Sequence, residues 1–213
     1  MAKKTFEERG IDISHWNPVS DFNLIRESGI DFVIIKAGGS DKGFYTDRKF
    51  EDNYRLAKLA GLKVGCYYFV GSNFYGDVSG KLDAQRFMKI IRGKDFDYPV
   101  CLDIETTAKA YKELATDASI SFCDTLEHEG YYVSIYGSDI STFKERLNIK
   151  RLSSYDKWVA RYSKTEKPEF VKDYGIWQYS SSGSVPGITG PVDLDVSTKD
   201  YKSIILKNGL NRG

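Results

Sequence analysis

The chain has 213 residues, 41% of them apolar and 14% aromatic, which is enough for one sizeable domain or two small ones with an ordinary globular core. Its 31 basic and 30 acidic residues leave a net charge of +1, so there is no electrostatic footprint for a nucleic-acid partner, and no lysine-arginine tract marks a membrane-binding surface. No apolar run reaches the roughly 18 residues of a membrane span, so no membrane insertion is expected. Residues 1–9 are basic without an apolar segment behind them, and no secretory signal is expected there. Cys66, Cys101 and Cys123 are odd in number and unclustered, and His15 and His128 are the only histidines. A disulfide framework and a histidine metal centre are therefore not expected. The composition reads as a soluble protein with no cofactor and no metal, made in a reducing compartment.

Short apolar, β-branched or aromatic runs recur at 10–16, 31–37, 62–70, 98–105 and 131–136, and each suits a strand. Between them, 21–28, 47–60, 78–91 and 116–129 read as helices, and each is followed by a glycine stop: Gly29, Gly61, Gly93 and Gly130. After residue 150 the rhythm changes. Strands are expected at 158–160, 175–179 and 191–196, with Ser-, Gly- and Pro-rich connections that are poor helix material. The pattern predicts an α/β fold: an irregular TIM-like barrel with five β-α units followed by three strands. Residues 1–200 are assigned to a single barrel domain. Residues 201–213 are read as a C-terminal tail, a terminal helix and then a frayed end, or the stub of a linker to an absent module.

The segment Pro-Val-Cys-Leu-Asp-Ile-Glu at 99–105 carries the main chemical signal. Side chains alternate along a strand, so Cys101, Asp103 and Glu105 share one face. Two like charges that close have pKa values pushed apart, which suits one group to act as an acid while the other stays ionised. By spacing alone the pair reads equally well as two solvated residues capping the next loop. Asp12 in the first strand and Asp193 and Asp195 in the last change that balance, because first and last strands of a closed barrel are neighbours. Tyr67, Tyr136, Trp158, Tyr162, Trp177 and Tyr179 lie in or beside strands, either as groove residues or as core.

These elements resemble the family-25 glycoside hydrolases, the lysozymes (N-acetylmuramidases) of phages, bacteria and some fungi. The matching segments are Gly-Ile-Asp-Ile-Ser at 10–14, Phe-Val-Ile-Ile-Lys-Ala at 32–37, Val-Gly-Cys-Tyr-Tyr-Phe at 64–69 and 99–105 above. They continue with Ser-Ile-Tyr at 134–136, Trp-Val-Ala-Arg-Tyr at 158–162, Ile-Trp-Gln-Tyr-Ser at 176–180, Gly-Ser-Val-Pro-Gly-Ile at 183–188 and Val-Asp-Leu-Asp at 192–195. The resemblance implies an irregular barrel and catalytic acids at Asp12, Asp103, Glu105 and Asp193. Asp195 stands where many relatives have asparagine and is read only as support for the site. Substrate contacts are expected from Lys36, Tyr67, Tyr136, Trp158 and Gln178. Two departures, Lys-Ala-Gly-Gly-Ser at 36–40 for the frequent Lys-Ala-Thr-Glu-Gly and Tyr68 for a frequent histidine, are expected to affect groove contacts.

The implied activity is hydrolysis of the β-1,4 bond between N-acetylmuramic acid and N-acetylglucosamine in bacterial peptidoglycan. Glu105 is the expected general acid, with retention through the substrate acetamido group oriented by Asp103. The alternatives are an inverting route with Asp12 or Asp193 as base, a non-hydrolytic wall-binding module, and a hydrolase of another N-acetylated glycan such as chitin. The expected context is a phage endolysin made in the host cytoplasm and acting on the bacterial cell wall after release, or a bacterial enzyme expressed without its signal, with a C-terminal wall-binding domain as a further partner.

Overall fold

The computed structural model describes residues 6–163 and 165–213. One nine-stranded sheet contains β1 (Glu8–Ile13), β2 (Phe32–Gly39), β3 (Tyr45–Thr46), β4 (Lys63–Phe69), β5 (Val100–Asp103), β6 (Val133–Ser138), β7 (Asp156–Ala160), β8 (Ile176–Gly183) and β9 (Val192–Ser197). β2, β4, β5, β6, β7 and β8 pair in parallel, in that order. β9 runs antiparallel to β8 and β1, and β1 pairs in parallel with β2, which closes the barrel. β3 is a two-residue edge on β2 that the sequence pattern does not announce. It fits because Gly38 and Gly39 carry no side chain: a Cβ at Gly38 would stand 2.2 Å from the Tyr45 carbonyl oxygen. The Gly-Gly departure thus shapes a hairpin beside the barrel mouth.

The helices α1 (Phe22–Glu27), α2 (Phe50–Leu59), α3 (Gly76–Ile91) and α4 (Lys112–His128) cover the first strands. The glycine after each of them adopts positive φ, the left-handed geometry that ends a helix without a Cβ clash. The fifth β-α connection differs from a regular helix. A π-helical turn, Asp139–Lys144, and a 3-10 turn, Ile149–Leu152, follow β6, so that part of the outer ring is irregular.

Strand alternation separates two apolar layers. Val33, Ile35, Val64, Cys66, Tyr68, Leu102 and Ile135 point outward, where they pack with helix residues such as Phe87 and Phe122. Phe32, Ile34, Cys101, Tyr136, Trp158 and Ile176 point inward. Cys66 and Cys101, although on neighbouring strands, belong to opposite layers, and all three cysteines are buried free thiols.

The C-terminal segment packs against the barrel. α5 (Tyr201–Asn208) places Tyr201 and Ile205 in the inner cluster, where they close the lower end of the barrel. The Tyr201 hydroxyl donates to Asp156 Oδ2 at 2.8 Å, and its ring lies 5.1 Å from that of Tyr98. Asn211 is fully buried: its Oδ1 accepts from the Tyr132 N–H at 2.7 Å and its Nδ2 donates to the Tyr98 carbonyl at 2.9 Å. Packing against the barrel continues beyond residue 200. With the floor sealed by aromatic rings, polar inward residues collect at the other end.

Candidate active site

At the carboxyl ends of the parallel strands, Asp12, Tyr67, Asp103, Glu105, Tyr136, Trp158, Tyr162, Gln178 and Asp193 line a cavity of about 200 Å³. Register explains the convergence. Asp103 is level with Tyr136, Tyr136 with Trp158, Gln178 with Asp195, and Asp12 with Asp193. β5 stops at Asp103, so Glu105 stands beyond the ladder rather than on it. Asp103 is 5% exposed, whereas Glu105 is exposed at the mouth.

The two carboxyls are nevertheless in hydrogen-bonding contact. Burial holds the Asp103 carboxyl well above the usual carboxylate range, and the adjacent Glu105 charge adds to the shift. Glu105 is also raised, by the desolvation it undergoes beside Asp103, against the opposing pull of the Asp103 hydrogen bond, Lys36 and Arg146. Two touching acids cannot both ionise cheaply, so the pair retains a proton. Lys36 Nζ lies 4.6 Å from the Phe69 ring centre and 5.9 Å from that of Tyr67, with its charge acting on both acids. Arg146 is tethered by Nε to the Thr107 carbonyl at 2.7 Å.

A second group of acids faces this pair. Asp12 Oδ2 accepts from Gln178 Nε2 at 2.6 Å, and Gln178 Oε1 accepts from the hydroxyls of Tyr136 at 2.8 Å and Tyr162 at 3.1 Å. Asp195 is fully buried and accepts from Trp158 Nε1 at 2.7 Å. Burial raises the pKa of Asp12, Asp193 and Asp195, the last to about 8, and mutual repulsion adds to the shift of Asp12 and Asp195.

The structure brings together the expected Asp12, Asp103, Glu105, Asp193, Tyr67, Tyr136, Trp158 and Gln178 on the cavity wall. Lys36 stands just behind it. Trp177 lies on the opposite face of β8, its Nε1 donating to the Arg161 carbonyl at 2.9 Å, so it belongs to the packing set rather than the groove. Tyr68 faces the helices, with its hydroxyl 3.3 Å from Asp83 Oδ1, and that departure therefore does not alter the groove. Tyr162 is the wall residue missing from the expected contacts. It continues the two-residue alternation Trp158, Ala160, Tyr162 one step beyond β7, which is the signal that finds it. Arg146 has no local signal, since it reaches the site from the turn after β6.

Acids of unequal depth at the mouth of an eight-stranded mixed barrel, set among aromatic rings, define a site of the glycosidase kind. The model for glycosyl hydrolases family 25 matches residues 11–188. The autolytic lysozyme of Clostridium acetobutylicum is 34% identical over 187 residues, covering 88% of this chain and 55% of its own length. The chain thus spans about half of that relative. The crystal structure of the CTP1L endolysin superposes with a TM-score of 0.81 at 28% identity, over 94% of this chain and 70% of that one. A bacterial lysozyme from Streptomyces coelicolor shares the fold, with a TM-score of 0.73 at 24% identity, over 97% and 99% of the two chains. The chain belongs to glycosyl hydrolases family 25.

Proposed function

We propose that this chain hydrolyses the β-1,4 bond between N-acetylmuramic acid and N-acetylglucosamine in bacterial peptidoglycan, with Glu105 as general acid. The observation that carries the reading is the difference in depth between two acids that share a proton. Glu105 is exposed at the mouth, where it meets a glycosidic oxygen, and Asp103 lies buried beneath it. A proton held by this pair at working pH is what a leaving oxygen needs. Membership of the family and the likeness to an autolytic lysozyme support peptidoglycan as the substrate.

Asp103 and Glu105 rise from one strand end and so approach a sugar ring from the same side, which is unsuited to a nucleophile placed opposite the acid. The substrate supplies an alternative: its 2-acetamido oxygen attacks the anomeric carbon while Glu105 protonates the leaving oxygen. Asp103 Oδ1 has no hydrogen-bond partner among the described residues and is an acceptor for the acetamido N–H. Glu105, now a base, then takes a proton from the water that opens the intermediate, and the β-configuration is retained. We read the chain as a lysin catalytic domain of phage origin, made in the host cytoplasm and acting on the wall after release, a reading supported by the likeness to an endolysin.

Reducing-end release from purified peptidoglycan and from chitin tests the function. Expected is release from peptidoglycan alone, with muramic acid at the new reducing ends. Release from chitin alone points to a different glycan hydrolase, and wall binding without release to a binding module.

A further inference from the structure

Asp195 lies behind the cavity wall rather than on it, and the hydrolytic steps above make no use of it. One of its oxygens, Oδ1, accepts from Trp158 Nε1 at 2.7 Å, while no donor reaches Oδ2 among the described residues. Asp12, level with Asp193 on the adjacent strand, lies in the same buried layer: its Oδ2 is engaged at 2.6 Å by Nε2 of Gln178, the residue level with Asp195. Two acids buried side by side cannot both ionise cheaply, so the pair retains a proton. Among the described residues, no lysine or arginine is a main influence on either acid. The groups facing it are Asp193 from β9, Asp103 and Cys101 from β5, Tyr67 from β4, and Tyr136 and Tyr162 behind Gln178. Lys36 acts on Asp103 and Glu105.

We propose that Asp195 is a positioning residue: one proton held between Asp12 and Asp195 locks Asp12 against Gln178 and fixes the Trp158 indole beneath the sugar cavity. The lock reaches the wall by two routes. Gln178 orients the hydroxyls of Tyr136 and Tyr162, and the Trp158 ring lies 4.4 Å from that of Tyr136. Loss of the proton leaves two buried anions side by side, and Asp12 must turn away from one of its partners. Burial brings Asp195 to about pH 8, so the lock holds through neutral pH and opens in mild alkali.

The effect on turnover rests on the hydrolase reading, whereas the proton itself does not, and the test separates them. The indole N–H resonance of Trp158 is followed by NMR from about pH 5 to about pH 10 without substrate, and kcat on peptidoglycan is measured over the same range. In the wild type the resonance shifts with a midpoint near pH 8, and kcat falls with it. Asp195→Asn keeps an acceptor for Trp158 and a donor for Asp12. It is expected to hold kcat within a few-fold at about pH 6, to abolish the indole titration and to remove the part of the alkaline fall that follows it, leaving the fall set by Glu105 itself. Asp195→Leu removes both bonds and is expected to lower kcat about tenfold or more while KM changes less. A wild-type indole that does not titrate, or an Asn variant that titrates unchanged, overturns the proposal even if the Leu variant fails to fold. Absence of peptidoglycan hydrolysis by the wild type defeats the hydrolase reading and leaves the indole titration to decide the lock.

Discussion

Asp103 and Glu105 carry the same functional group two residues apart, and their roles diverge because β5 ends between them. The ladder holds Asp103 in the interior, while Glu105 is free to reach the mouth. Glu105→Gln keeps the shape and removes the transferable proton, and is expected to reduce peptidoglycan hydrolysis by about 10²–10⁴-fold with unchanged thermal stability. Asp103→Asn replaces the carboxyl that accepts the acetamido N–H by an amide, and a loss on the order of 10²-fold is expected. Products followed by NMR before mutarotation should appear first as the β-anomer. Initial α-anomer would replace the acetamido route by an inverting one, with Asp12 or Asp193 as base.

Among the elements, α5 shows how a segment remote from the chemistry supports it. Tyr201 fills the lower end of the barrel against Tyr98 and Tyr132, and its hydroxyl meets Asp156. Tyr201→Ala removes a fully buried ring and is expected to destabilise by about 3–5 kcal/mol in denaturant unfolding. Tyr201→Phe keeps the ring and forfeits one bond to a carboxylate that retains Lys199 and Tyr132 as partners, for about 1–2 kcal/mol. Turnover measured well below the melting temperature should be close to wild type in the Phe variant, because the cavity lies at the opposite end of the barrel.

For the molecule as a whole, the buried acids determine how stability responds to pH. Asp12, Asp103 and Asp195 have folded-state pKa values raised above the ordinary carboxylate value, chiefly by burial. As pH rises past about 4 the unfolded chain releases protons that the native state keeps, so stability declines. For Asp195 the decline continues until the folded group ionises at about 8. Asp97, lowered by its bonds and charge contacts with Lys58 and Lys202, works in the opposite direction near its own titration in acid. The expected outcome is a melting temperature that is highest in mild acid and falls toward pH 8, by an amount on the order of a few kcal/mol in stability. Asp195→Asn should flatten that slope in a series of melts at fixed ionic strength. A wild-type curve that rises steadily from pH 5 to 8 would show that these acids are ionised in the fold.

Features that are local or periodic are legible in the order of the residues alone. Glycine stops after α1 to α4, β-branched runs and two-residue alternation define the order of strands and helices, and the acids and aromatic rings of the wall stand at inward positions of those strands. Family motifs point to the same acids. Contacts made by residues far apart in the chain were decided only by the tertiary structure. The tail of Asn, Gly and Arg looks unstructured by composition, yet Asn211 is buried because Tyr98 and Tyr132 present unpaired backbone groups at the barrel floor. Tyr68 and Tyr67 are equally aromatic, and only the closed sheet sends one to the helices and the other to the cavity. The proton between Asp12 and Asp195 is the clearest case. Neither residue has a local reason to be protonated, and the pressure arises when closure of β1 on β9 buries two acids together, with no cation among the described residues as a main influence on either.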